Sequence, residues 1–147
     1  MSDKVLLTGI SGWIAKHIAI ELLNSGYEVL GTVRNKELIQ STKETLQNQK
    51  VPLDKLSFVV LDLLNDTGWN EAASGCKYIM HVASPFPIKV SKDREKLVPV
   101  AKGGTLRVLN AGINANVEQI IVTSSIAAMF RKPVSYTHLT LPTTHDV

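Results

Sequence analysis

Short blocks rich in apolar and β-branched residues recur along the chain, at 5–7, 28–33, 56–61, 78–82 and 119–123, and each predicts a strand. The first block, VLL, is continuously apolar, as a strand covered on both faces should be. Between the blocks the apolar positions change to helical spacing. Residues 12–25 carry Ile14, Ile18 and Leu22 at four-residue steps with Gly26 as a stop, and 36–49 carry Leu38, Ile39 and Leu46 before Pro52 ends the pattern. A short helix is expected over 69–73. A long one follows the turn-rich ASPFP, with Leu97, Val100, Ala101, Leu106, Leu109 and Ile113 tracing one broad apolar face. Strand and helix in strict alternation predict an α/β fold, a doubly wound parallel sheet of five strands and four crossovers, with no repeat and no linker. Gly103 and Gly104 break helix propensity inside the long helix, at about 1 kcal/mol each. A close approach by another backbone is the expected reason.

Composition narrows the picture. A chain of 147 residues with 44% hydrophobic content is enough for one domain with a core. The net charge of +3 is spread among acidic residues without a basic block, so neither a nucleic-acid nor a membrane partner is expected. The single cysteine, Cys76, cannot form an internal disulfide and reads as core, as does Trp69. MSDKVLL lacks the apolar region of a signal peptide, and the longest apolar runs are far too short to span a bilayer. A cytoplasmic location is expected, with no metal site.

The first strand runs into TGISGWIA, with Gly9, Gly12 and Ala15 at equal spacing. A turn that aims backbone N–H groups and a helix N-terminus at one point makes an anion site, because those donors lack partners and the helix dipole favours negative charge. In a Rossmann arrangement the anion is a diphosphate. Gly9 permits the tight turn, Gly12 admits the phosphates, Ala15 lets the helix lie close on the strand, and the N–H groups of Trp13 and Ile14 donate. Close packing alone is the other reading of the spacing.

The second strand ends GTVRNK. Where NAD binding calls for a carboxylate near the ribose 2′-hydroxyl, this chain has Val33, and Arg34 beside it offers a guanidinium fork for a 2′-phosphate. That points to NADP, with Lys36 assisting, against the alternative of a solvated arginine. Asp62 in VVLDLL suits two roles, accepting the amino group of adenine or capping a turn, and Leu63 beside it is a second expected cofactor contact. The small residues of HVAS leave room for ribose and diphosphate over Val82, Ala83 and Ser84. His81 reads as a packed strand residue, and Phe86 as core or pocket wall.

With the glycine turn, VRNK, VLDL, Gly68-Trp69, HVASPFP, LVPVAKGGTLRVL and IIVTSSIAAM in view, the chain resembles the extended short-chain dehydrogenases/reductases over about residues 4–129. Within them it is most similar to the NADP-dependent aldehyde and ketone reductases related to dihydroflavonol reductase and cinnamoyl-CoA reductase. The resemblance implies hydride transfer from NADPH to a small-molecule carbonyl. A serine would hold the carbonyl oxygen, and a tyrosine would deliver the proton, its pKa lowered by a lysine four residues on. The serine maps onto Ser125, with Ser124 the second choice and strand-end capping the structural alternative. Two other functions share the turn: an NAD-dependent sugar-nucleotide epimerase or dehydratase, and a non-catalytic NADP-binding regulator.

The tyrosine-lysine pair has no counterpart here. Tyr136 is followed four residues later by Thr140, and Pro142 blocks a long helix. Moreover, VSYTHLTLPT matches one reading frame of a common transposon-based sequencing adapter. The expectation is an incomplete dinucleotide-binding domain over 1–132, truncated after the fifth strand, and a non-native tail over 133–147, against the alternative of an unusual, Thr-rich native terminus. Such a fragment would leave the fifth strand with an unpaired edge, and turnover is not expected.

Overall fold

Val5, Leu6, Leu7 and Thr8 are all buried in the first strand, β1 (Lys4–Thr8), which places it at the centre of the sheet. Val5 pairs with Val29 of β2 (Glu28–Val33) on one side and with Tyr78 of β4 (Tyr78–His81) on the other. Outside these lie β3 (Leu56–Val60) and β5 (Gln119–Val122), so a computed structural model describing residues 2–84 and 97–126 has five parallel strands in the order β3-β2-β1-β4-β5. The expected doubly wound sheet is therefore observed. Connections run outward from β1 to β3, and the chain then crosses back to β4 on the other side of β1. Because such crossovers are right-handed, the helix on the returning connection and the one after β4 lie on the opposite face.

Alternation along the strands supplies both cores. Leu7, Val29 and Val33 pack with Ala15, Ala19 and Leu23 of α1 (Trp13–Asn24) and Leu46 of α2 (Glu37–Asn48). Leu6 and Ile79 pack on the other face with Trp69, Ala72 and Ala73 of α3 (Trp69–Ala73) and Val108 and Ala111 of α4 (Leu97–Asn114). Cys76 belongs to this second core, where burial pushes its thiol pKa up. At the opposite end from the glycine turn, Lys77 Nζ lies 3.0 Å from Asp3 Oδ2 and 3.6 Å from Glu118 Oε1, tying the starts of β1, β4 and β5.

Two helices present different faces from those the large apolar residues predict. In α1 the buried line is Ala15, Ala19 and Leu23, while Ile14 is 50% exposed. In α4 the buried residues include Gly104, Val108 and Ala111, and Leu106 and Ile113 are 45% and 67% exposed. The physical reason is distance: small residues let a helix axis come close to its neighbours, so more backbone and strand surface is covered than a leucine ridge would allow. Gly104 shows this directly. A Cβ there would stand 3.0 Å from Leu63 Cβ and 3.4 Å from the Leu63 carbonyl oxygen, the expected backbone approach, whereas at Gly103 it would meet only the Arg107 side chain of the same helix, so that expectation fails there.

Among the described residues β5 is an edge strand, with Ile121 and Val122 partly exposed. Phe86 and the expected tail over 133–147 lie outside the described residues.

Candidate functional site

The order β3-β2-β1-β4-β5 puts the topological switch between β1 and β4, where the turns leaving the two strands diverge and open a crevice. The glycine turn sits there. Gly9 has φ +69°, and a Cβ on it would lie 2.9 Å from Ala83 Cβ, so the turn after β1 rests directly on the turn after β4. Gly9 N–H donates to Thr32 Oγ1 at 3.0 Å, Ile10 N–H to the Thr32 carbonyl at 3.1 Å, and Gly12 N–H to the Gly9 carbonyl at 2.9 Å. The turn is thus anchored to β2 as well as β4. Gly12 is the N-cap of α1 in extended conformation, and no side chain caps the helix. The first helical bond from this end is Lys16 N–H to the Gly12 carbonyl, which leaves the amides of Trp13, Ile14 and Ala15 at the open end of the dipole.

A groove of about 790 Å³ runs from this turn across the carboxyl ends of the strands. It brings together Gly9, Gly12, Trp13, Ile14, Arg34, Asp62, Leu63, Val82, Ala83 and Ser84, all expected from the sequence to meet a cofactor. Lys36 is not among its lining residues. It is the exposed N-cap of α2, its carbonyl accepting the Ile39 N–H at 3.0 Å, and the first turn of that helix meets the groove through Leu38 instead. Ser124 and Ser125 are exposed just past β5, and neither lines the groove.

At the far end, Val33 is 1% exposed and packs into the α1–α2 core, while Arg34 is exposed and lines the groove. Asp62 takes the turn-capping role: its Oδ1 accepts the Leu64 N–H at 2.9 Å, and Oδ2 remains for another donor. Trp69 does more than fill the core. Its indole N–H is shared between the carbonyls of Asn65 at 3.0 Å and Asp62 at 3.3 Å, and Arg107 of α4 binds the Leu63 carbonyl at 3.0 Å and the Asp66 carboxylate. The loop that forms the wall beside Leu63 is therefore tied to two helices. Thr32, Leu38 and Trp69 also line the groove, though the sequence marks Leu38 and Trp69 only as packing residues and Thr32 not at all. Thr32 had one available signal, a hydroxyl two residues before the arginine.

Behind the crevice, Thr8 and His81 are buried and hydrogen-bonded to each other, Oγ1 to Nδ1 at 2.9 Å. Burial lowers the His81 pKa from its ordinary value of 6.5. An unfolded chain takes up this proton near that value and the folded one only at lower pH, so stability falls as pH drops below about 6.5. The denaturation midpoint is expected to be lower at about pH 5.5 than at about pH 7.5, with His81→Asn losing part of that difference. Equal drops in both proteins would clear His81 of the effect.

Residues 5–145 match the NAD dependent epimerase/dehydratase family. Cinnamoyl-CoA reductase 1 of Petunia hybrida is 37% identical over 129 residues, which cover 88% of this chain and 37% of that protein. Dihydroflavonol 4-reductase of Hordeum vulgare is 31% identical, over 85% of this chain and 35% of its own length. The crystal structure of yeast methylglyoxal/isovaleraldehyde reductase Gre2 complexed with NADPH superposes with a TM-score of 0.72 at 28% identity, over 85% of this chain and 38% of that one. The chain thus spans well under half the length of these relatives. With the sheet order, the glycine turn and the match along nearly its whole length in agreement, the chain belongs to the NAD dependent epimerase/dehydratase family.

Proposed function

We propose that the chain is the cofactor-binding amino-terminal part of an NADP-dependent oxidoreductase that passes hydride to a small aldehyde or ketone, in the cytoplasm. The observation that carries this reading is the end of β2: Val33 is committed to the core, and the neighbouring side chain facing the groove is a cation, Arg34. A 2′-phosphate satisfies that cation, whereas a bare ribose leaves it without a partner. The uncapped N-terminus of α1 fits the diphosphate, and glycines at 9 and 12 keep the approach free of side chains.

In this reading the amides of Trp13 and Ile14 hold the diphosphate, Arg34 grips the 2′-phosphate, and Asp62 Oδ2 and Leu63 meet the adenine. Val82, Ala83 and Ser84 leave space for ribose. NADPH, once bound, supplies the hydride. Ser125 orients the carbonyl oxygen, and the proton comes from a tyrosine-lysine pair that this sequence lacks, so the chain alone binds cofactor without turnover. Residues 133–147 are proposed to be non-native on the adapter-like run VSYTHLTLPT, although the family match extends to residue 145. The likeness to cinnamoyl-CoA and dihydroflavonol reductases supports a carbonyl substrate.

Both tryptophans, Trp13 and Trp69, line the groove, so their fluorescence reports binding. NADPH is expected to quench it with a Kd at least about tenfold below that of NADH. A preference for NADH would favour the epimerase or dehydratase reading instead. NADPH oxidation by this chain with an added aldehyde would refute the assignment of proton delivery to a missing pair.

A further inference from the structure

One hydroxyl joins the two turns of the crevice to the helix behind them. Thr8 Oγ1 accepts the N–H of Val82 at 3.0 Å and the N–H of Ala83 at 3.0 Å, and it lies 2.9 Å from His81 Nδ1. A hydroxyl has one proton and two lone pairs, and an amide N–H can only donate. The two amides therefore use both lone pairs, and the Thr8 proton goes to His81 Nδ1. That makes Nδ1 an acceptor and puts the ring's own proton on Nε2, which faces Thr105 Oγ1 of α4 at 3.4 Å. His81 is 4% exposed, so bulk water does not offer an alternative partner. A proton on Nδ1 would confront the Thr8 hydroxyl and force it to give up one of the two amides. Those amides belong to the turn on which Gly9 rests.

We propose that His81 is a positioning residue for the diphosphate end of the groove: held between Thr105 of α4 and Thr8 of β1 as the Nε2–H tautomer, it aims the Thr8 hydroxyl so that the β1 and β4 turns stay locked together. The ring touches no ligand. It acts through Thr8 on Val82 and Ala83, and its functional consequence rests on the dinucleotide reading of the groove, although the tautomer does not.

Two measurements on the full chain test this. In ¹⁵N NMR, the chain's four histidines are distinguished by substitution, the His81 signal being the one that His81→Asn removes. Wild-type His81 is expected to show a protonated Nε2 and a bare Nδ1, and a proton on Nδ1 overturns the proposal. NADPH affinity is then compared among wild type, His81→Leu and His81→Asn. Leu is expected to weaken binding about tenfold, the scale of one lost buried hydrogen bond. Asn, whose Oδ1 can accept the Thr8 proton in place of Nδ1, should recover binding to within about threefold of wild type. The ratio of NADPH to NADH affinity should stay constant throughout, because Arg34 is untouched. Equal losses for Leu and Asn overturn the positioning role. Should Leu fail to fold, the Asn variant and the tautomer decide. A wild type with the expected tautomer but no affinity for NADPH defeats the dinucleotide reading, and the role at a diphosphate falls with it.

Discussion

Arg34→Asp is expected to weaken NADPH binding about a hundredfold while changing NADH binding by less than about threefold. The magnitude comes from charge. A guanidinium on a phosphate makes charge-assisted hydrogen bonds worth about 1.5–3 kcal/mol each, and the substitution replaces attraction by repulsion between an aspartate and a phosphate dianion. Only NADPH carries that phosphate, so the two cofactors separate the charge effect from any general damage to the groove. Arg34 is exposed and Val33 beside it holds the strand end in the core, so the substitution should leave the fold in place. Titration of both cofactors against tryptophan fluorescence measures the ratio. Equal losses for NADPH and NADH would remove Arg34 from the phosphate site, and Lys36, already outside the groove lining, would not replace it.

Gly9→Ala should destabilise the chain by about 3 kcal/mol, and Gly26→Ala by only about 1 kcal/mol. Both glycines have positive φ, +69° at Gly9 and +85° at Gly26, so both substitutions incur the left-handed backbone cost. They differ in what surrounds them. A new Cβ at Gly26 meets nothing within 4 Å, whereas at Gly9 it lies 2.9 Å from Ala83 Cβ and 3.1 Å from Ala83 Cα. Ala83 cannot give way cheaply, because its own N–H is held by Thr8. The excess at Gly9 is thus the overpacking of two turns, and urea midpoints of the two variants read it directly. Cofactor affinity should fall at Gly9 and hold at Gly26. If the two variants lose equal stability, the contact between the turns contributes nothing.

The amino-acid sequence by itself determined the alternation of strands and helices, the glycine turn at the end of β1 and the placement of Arg34 at the end of β2. These are local properties: a strand's apolar run, a helix's period and a turn's glycine are all written within a few neighbouring residues. Ten of the expected cofactor contacts share one groove for the same reason, since parallel strands deliver their carboxyl ends to one edge.

Tertiary structure decided the rest. It turned the small residues of α1 and α4 inward in place of Ile14, Leu106 and Ile113, because helix-to-sheet distance is a property of two surfaces and is invisible in one. It decided between the two roles the sequence left open for Asp62, whose Oδ1 takes the Leu64 amide, and it tied the Leu63 carbonyl to Arg107 across 44 positions. It also joined Thr32 to Gly9 across 23 positions and Thr8 to His81 across 73. No period in the chain encodes such pairs. A buried hydroxyl or imidazole takes whichever partner the fold brings within reach, and that partner exists only once the strands are side by side.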